Sequence, residues 1–532
     1  MVVTEPPRRR RRCGPKVKSG CQTCKIRRVK CDEAKPSCQR CTSTGRKCDG
    51  YAQDILIARP QDAQDRAIIH RISTSMPGNR EERRGFSYFL HNTTVELSGY
   101  FDTSFWQQLL VQASTAEPAL RHAVIGIGSL HEAFTNRRLD YSPDSIERGF
   151  AINQYTKAIG HLRRSLATGK QEPLTALMSC ILFVCFDSIR GHFKSAMLHL
   201  QSGLRILRDF KSKLAGDSIA NSLGHLLIRL SIQAVLYIDT REASDQKAFA
   251  AELMEVNMPE THIPESFESL EEARDGMCQA ANALFQMFYM CDGDLPYVYQ
   301  HEALPLYEKN TSRLAKWNTA FETLMQAKSR SFTSKQIRGA ALLKIQHTTA
   351  TIMADAALPD MNDSRSVAEI SNTPDNFLKY TGDFQTIVNL SRSLILASEA
   401  DAKSGKSALT FSTDLGLIAP LYYVCIKCPD RSIRTAAIEL LMRDPRREGM
   451  WDSVATEKLI RGFWEIKAKH PALQIGNETT PSIPFKGLDL VFMDGMKWEW
   501  KWKQPVTESR ADTPGDLCWT DGSFFPAGTN VW

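Results

Sequence analysis

Six cysteines, Cys21, Cys24, Cys31, Cys38, Cys41 and Cys48, spell Cys-x2-Cys-x6-Cys twice, the second copy seventeen residues after the first. Thiolates at this spacing are metal ligands. Zinc is held tetrahedrally, so one ion would leave two sulfurs idle, whereas two ions need eight ligand positions, which six sulfurs fill if two of them bridge. The doubled pattern is therefore expected to be a binuclear cluster with two zinc ions per chain. A disulfide framework is the competing use of so many thiols, and it requires an oxidising compartment. Residues 1–12 carry a charged run but no apolar stretch and no small-residue cleavage site, so no secretory signal supports it. Cys13 breaks the spacing and stands outside the ligand set.

The charge around the cysteines indicates a partner. Residues 1–50 hold fifteen Lys or Arg against four Asp or Glu, a formal +11, while residues 51–532 hold 52 against 56, so the chain's +7 hides a basic head on a slightly acidic body. Basic charge concentrated in one small module suits a polyphosphate, because each neutralised phosphate releases condensed counterions. Nucleic acid is the expected partner. Between the second and third cysteines, Lys25-Ile26-Arg27-Arg28-Val29-Lys30 lacks Gly and Pro and is expected to form a short helix tethered to metal at both ends. Ile26 and Val29, three apart, are expected to face the cluster, leaving Lys25, Arg27, Arg28 and Lys30 outward. Arginine forks match the O6 and N7 edge of guanine, and lysine suits phosphate as a mobile point charge. In the second half, Lys35-Pro36-Ser37 makes the turn, and Arg40, Arg46 and Lys47 are sparser, so that half is expected to support rather than to read bases.

The run Ser19-Gly20-Cys21-Gln22-Thr23-Cys24-Lys25-Ile26-Arg27-Arg28-Val29-Lys30-Cys31-Asp32-Glu33 resembles the six-cysteine binuclear zinc cluster of fungal transcription factors, with all six ligand spacings matched. The resemblance implies that Cys21 and Cys38 bridge, that Cys24 and Cys31 complete one zinc site, and that Cys41 and Cys48 complete the other. It also implies that the C-terminal end of the first short helix enters the major groove of double-stranded DNA, commonly at CGG triplets. Arg27 and Arg28 then fall on the base-contacting positions, where many members carry lysine, and Lys25 and Lys30 on the phosphate-contacting ones. Pro36 matches the family's middle-loop proline.

Around this head the chain divides by texture. Arg8 to Arg12, followed by Lys16 and Lys18, form a basic run that reads as a nuclear address or a disordered arm on DNA phosphates, and residues 1–20 are assigned as a basic tail. The nucleus is the expected location. Residues 21–48 are the zinc-cluster DNA-binding domain, and 49–85 a linker marked by Pro60, Pro77, Gly78 and many charges. Scattered Ile55, Leu56, Ile57, Ile68, Ile69 and Ile72 make no sustained heptads, so no coiled coil is evident and any dimer contact is expected in the large helical region.

Residues 86–503 read as a large all-α regulatory domain, which makes the fold class mostly α. Ile152, Tyr155, Ile159, Leu162 and Leu166 follow a helical stripe. Leu174 to Phe186 is a thirteen-residue apolar run, too short for a bilayer and read as a buried helix. Ser269-Leu270-Glu271-Glu272 has capping-box form, and Ile433 to Met442 and Val454 to Ile466 continue the helical pattern. Solenoid-like stacking is one arrangement, although no clean period appears. Blocks of this region also resemble the helical regulatory domain of fungal zinc-cluster factors: Leu97-Ser98-Gly99-Tyr100-Phe101-Asp102, Phe105-Trp106, Glu117 to Val124, Leu130-His131-Glu132, Pro420-Leu421-Tyr422-Tyr423, and Pro445-Arg446-Arg447-Glu448-Gly449-Met450-Trp451. That resemblance implies a regulator of RNA polymerase II transcription in a fungus, controlling a metabolic or secondary-metabolite pathway, with transcription machinery or co-regulators as partners and no membrane.

An enzyme is not expected. Gly126-Ile127-Gly128 begins like a dinucleotide fingerprint, but His131 stands where its third Gly belongs, and small-residue helix packing is the better account. Cys425 and Cys428 have no further ligands nearby and read as core thiols. Residues 260–275 mix carboxylates with Ile263, Phe267 and Leu270 and read as a loop and helix start rather than a recruiting segment. Residues 504–532 form an acidic-aromatic tail, and Trp498, Trp500 and Trp502 alternate with charges at the period of a strand. The competing functional class is a zinc-cluster interaction protein or co-regulator that does not bind DNA sequence-specifically.

Overall fold

The computed structural model describes residues 21–27, 29–34, 37–48, 76–101, 104–136, 146–168, 172–210, 217–234, 262–290, 303–357, 364–365, 370, 374–404, 410–469, 488–493 and 497–502. The basic tail, Arg28, Lys35, Pro36, most of the expected linker and residues 504–532 lie outside them. The chain forms two compact units, Met1–Met76 and Pro77–Trp532. Among its described residues the smaller holds two short helices, α1 (Gln22–Ile26) and α2 (Gln39–Thr42).

The larger unit begins with α3 (Arg80–Tyr88), inside the segment read as linker. Its start is encoded locally: Asn79 Oδ1 accepts the N–H of Glu82 at 2.8 Å, and the Glu82 carboxylate accepts the N–H of Asn79 at 3.1 Å, a complete capping box. A π-helical turn, Phe89–Thr93, carries the chain into α4 (Thr94–Leu97), and another, Ser104–Leu109, leads into α5 (Leu110–Ala116). Then follow α6 (Pro118–Thr135), α7 (Ile146–Ala167), α8 (Pro173–Arg190), α9 (Phe193–Asp209) and α10 (Ser218–Ala234). Helices α6 and α8 each open on a proline, whose missing N–H is harmless in a first turn. The expected buried helix is α8; by length and apolarity it could cross a bilayer, yet 78% of it is buried inside this unit.

Small residues set the closest helix crossing. A Cβ on Gly128 of α6 would stand 2.1 Å from the carbonyl oxygen of Gly85 in α3, so these backbones touch because neither position carries a side chain. Gly126 packs the same way against α7, beside the Ala151 carbonyl oxygen. The Gly-x-Gly is thus mid-helix packing. It also corrects the stripe expected on α7: the buried positions are Ala151, Gln154 and Ala158, while Ile152, Tyr155, Ile159 and Leu162 are half-buried and Leu166 is 53% exposed. Close approach to α6 selects the small residues, and the large ones flank the contact.

The second half comprises α11 (Leu270–Met290), α12 (Ala303–Lys328), α13 (Ser334–Ala356), α14 (Thr381–Lys403), α15 (Ile418–Lys427), α16 (Arg431–Arg443) and α17 (Ser453–Lys469). At the head of α11, Ser269 Oγ accepts from Glu272, but the Glu272 carboxylate reaches back to the N–H of Glu268 rather than to Ser269. Ile263, Phe267 and Leu270 are buried in the same core, as a loop and helix start require. Trp317 centres that core: its indole N–H donates to the Ala273 carbonyl at 2.7 Å, and its ring stacks on Phe321 and His347. Cys425 lies in this core as a thiol, pushed up by burial, with its Sγ 3.7 Å from the Arg434 carbonyl oxygen.

Buried polar groups join the two halves. Strand β1 (Phe411–Ser412) pairs in parallel with β2 (Arg447–Glu448), which pairs antiparallel with β3 (Trp451–Asp452). Arg447 donates to Asp452 Oδ2 at 2.7 Å and to the carbonyl of Ile189, an end-of-helix acceptor left open in α8. One oxygen of Glu96, on α4, accepts from the N–H of Thr410 at 2.8 Å, its hydroxyl at 2.7 Å and the N–H of Phe411 at 3.1 Å. Glu448 accepts the N–H of Ile418 at 2.8 Å. Strands β4 (Leu488–Met493) and β5 (Lys497–Trp502) form an antiparallel pair, Leu488 opposite Trp502 and Phe492 opposite Trp498; the alternating tryptophan run is a strand, and its partner strand was not legible in the sequence.

Candidate metal centre and nucleic-acid interface

Six sulfurs meet between α1 and α2. The Sγ atoms of Cys21, Cys24, Cys31 and Cys38 lie within 4.8 Å of one another, and so do those of Cys21, Cys38, Cys41 and Cys48, so the two sets share Cys21 and Cys38. Cys21, Cys24, Cys38 and Cys41 are fully buried, and Cys31 and Cys48 pack against them. With a zinc–sulfur bond of about 2.3 Å, the edge of a tetrahedron is about 3.8 Å. The observed separations, 3.5 Å for Cys21 to Cys38 and 3.7 Å for Cys24 to Cys38, match that edge. The donors are all soft sulfur, with no carboxylate or imidazole in either set. Such a donor set fits zinc.

Electrostatics argue the same way. Burial pushes the Cys21 thiol up to about 12, and raises Cys24 and Cys38 as well, because a thiolate there has lost water. A divalent cation restores what water supplied. Backbone amides add to this, with the N–H of Cys21 3.4 Å from Cys31 Sγ and the N–H of Cys38 3.5 Å from Cys48 Sγ. These two bonds have the same ten-residue span, so the repeat in sequence is a repeat in geometry.

The first helix differs from the expectation. It covers Gln22–Ile26 rather than starting at Lys25, and Ile26 is 77% exposed and Val29 38% exposed, so neither faces the sulfurs. Cys24 points inward, and at 100° per residue Ile26 sits 200° around the helix from it, on the opposite side; Val29 lies past the helix end. Lys30 is exposed. Arg27 is half-buried and reaches the second half, its Nη1 3.4 Å from Thr44 Oγ1. Lys25 lies on α1, though its side chain is outside the described set, as is all of Arg28.

Asp32 was missed as a positioning residue. Its carboxylate accepts the N–H groups of Arg40 and Gln39, each at 2.9 Å, and these bonds favour the charged form and hold its pKa below the ordinary carboxylate range. The capping position of α2 is Cys38, which makes no side-chain cap bond. A cap seven residues upstream has no local sequence signature.

This geometry defines a six-cysteine head with two four-sulfur sets and a helical body, and the comparisons match a domain in each. Residues 19–55 match the fungal Zn(2)-Cys(6) binuclear cluster domain and residues 84–243 match the fungal specific transcription factor domain. The chain therefore carries two domains found in fungal zinc-cluster transcription factors, and its cluster domain is one that binds two zinc ions. It is 27% identical to the aspercryptin biosynthesis cluster-specific transcription regulator atnN of Emericella nidulans, over 87% of this chain and 89% of that one. It is 29% identical to the transcription regulator lscL of Purpureocillium lilacinum over 37% of this chain and 50% of that one, and 52% identical over 48 residues to the transcriptional regulatory protein moc3 of Schizosaccharomyces pombe. Each of these relatives is named as a transcription regulator. No solved structure matches the chain.

Proposed function

We propose that this protein is a nuclear regulator of RNA polymerase II transcription that controls a secondary-metabolite pathway by reading CGG-like triplets through residues 21–48. Cys21 and Cys38 bridge the two zinc ions, Cys24 and Cys31 complete one site, and Cys41 and Cys48 complete the other. What supports this is the sharing of Cys21 and Cys38 by both four-sulfur sets. Zinc folds a module too small for a core of its own, so metal-binding free energy is its folding free energy. Arg27 and Arg28 discriminate bases, while Lys25 and Lys30 hold phosphates. In the free protein Arg27 is parked on Thr44, so base contact requires it to exchange that weak bond for guanine. The full-length relative named for a biosynthesis cluster supports the pathway class.

Selection of bound sites from random duplex DNA by the zinc-loaded full chain tests the proposal. Enrichment of a CGG-like triplet is the expected result. Retention of DNA with no enriched motif would favour the competing reading, a zinc-cluster protein without sequence-specific binding.

A further inference from the structure

One side chain of the zinc-cluster module has no account in its fold. Ile26 closes α1 and is 77% exposed, more than any other large apolar side chain among the described residues. It does not strengthen the helix, because a β-branched residue ranks below alanine, lysine or arginine in helix propensity. It does not line the metal site either, since it sits on the side of α1 opposite Cys24. The helical turn continues through position 27, where the Arg27 N–H donates to the Thr23 carbonyl at 3.1 Å. Positions 25 and 27 therefore flank Ile26 by about 100° on either side, which sets an apolar residue between two basic positions on the outer surface of the module.

Duplex DNA offers such a residue one partner. The base edges in the major groove are a code of hydrogen-bond donors and acceptors, and the C5 methyl of thymine is the one apolar group in it. Isoleucine over a polar edge covers a donor or acceptor without satisfying it, which is unfavourable, whereas over thymine it buries apolar surface on apolar surface. We propose that Ile26 is a specificity-determining residue that packs on the C5 methyl of a thymine adjoining the triplet, so that the site read is longer than the triplet. The thymine adjoins the triplet because CGG contains only G·C pairs. This rests on the base-reading role given above to Arg27 and Arg28, the two positions that follow Ile26 in the chain.

Site selection from random duplex DNA with zinc-loaded full-length protein should enrich thymine at one position beside the triplet. Replacing that thymine with deoxyuridine removes the methyl and leaves pairing and the O4 acceptor intact. Binding should weaken about fourfold, the effect of one methyl group taken out of water. Deoxyuridine in place of thymines elsewhere on the probe should leave affinity unchanged. Ile26→Ser should keep two zinc equivalents per chain, because the side chain it replaces is solvated. It should still enrich the triplet but bind the thymine and deoxyuridine duplexes within about 1.5-fold of each other. Ile26→Val should retain the preference for thymine. The comparison of the two duplexes on the unaltered protein needs no variant, so it decides the matter even where Ile26→Ser does not fold. The proposal is overturned if the triplet is enriched with no thymine beside it, if the unaltered protein binds both duplexes alike, or if Ile26→Ser keeps the preference. Selection that yields no triplet overturns the base-reading role of Arg27 and Arg28 and this inference with it, whereas a triplet without methyl dependence overturns this inference alone.

Discussion

The carboxylate of Asp32 accepts the backbone N–H of Arg40 at 2.9 Å, binding the loop after the third cysteine to the first turn of the helix that carries the fifth. The residue that would ordinarily cap this helix is Cys38, whose sulfur is turned into the cluster. Asp32 does the capping from the other half of the repeat, so it couples the two halves without touching a sulfur. Asp32→Ala should lower resistance to a competing chelator by roughly tenfold, as loss of a ligand-orienting contact does, with Asp32→Asn in between because it keeps one acceptor. Identical chelator curves for all three proteins would remove Asp32 from this role.

Arg28→Ala and Lys30→Ala should separate discrimination from affinity. Losing a bidentate guanine contact is expected to cost about 1–3 kcal/mol on the selected site and little on scrambled DNA. Losing a phosphate contact should weaken both and reduce the salt dependence of binding by about one ion. Binding isotherms on the two duplexes at several salt concentrations distinguish these outcomes; equal losses on both for Arg28→Ala would contradict base reading.

Glycines in the helical body should respond to alanine in opposite directions. At Gly128 the new Cβ would collide with the Gly85 carbonyl oxygen, so α3 and α6 must separate, at about 1–3 kcal/mol. At Gly149 and Gly160 of α7 a Cβ meets nothing within 4 Å, and removing glycine from a helix interior should stabilise by about 0.5–1 kcal/mol. Urea melts of the three variants provide the comparison.

His347 should make the body sensitive to mild acid. Burial against Trp317 pushes its imidazole down to about 4, with nearby Lys344 adding to the effect, while its ring nitrogen Nε2 lies 3.1 Å from the Leu314 carbonyl oxygen. Its ordinary value in an unfolded chain is about 6.5, so between these values the unfolded chain binds the extra proton. The stabilising contribution is therefore complete above pH 6.5 and is lost as pH falls toward 4, by about 3 kcal/mol in all. His347→Gln should flatten stability over that window; an unchanged slope would show that other groups carry it.

The cluster was legible because its chemistry is local. Ligand type, spacing and the surrounding basic charge are properties of one short stretch, and the four-sulfur sets need no distant element to bring them together. The helical class was legible for a similar reason, since caps such as Asn79 with Glu82 and the prolines opening α6 and α8 act within one turn. Ile26 and Val29 were misread because apolar character was taken as burial. Among the described residues of this module the buried cluster consists of cysteines alone, with no apolar core to receive them.

Long-range contacts were a different matter. Arg446, Arg447 and Glu448 are of residue types that are mostly exposed, yet each is at most 5% exposed. Arg447 is sustained there by a carbonyl of α8 some 258 residues earlier, and Glu96 by Thr410, 314 residues later. No periodicity encodes a partner that far away, because burial of a charge depends on which donor or acceptor the fold delivers to it. The same holds for an apolar cavity of the body, whose walls come from segments spread between Ile232 and Trp451. Residue types and their spacing suffice for chemistry confined to a few turns of chain. Charge burial, helix crossings and cavities belong to the packing of the whole body.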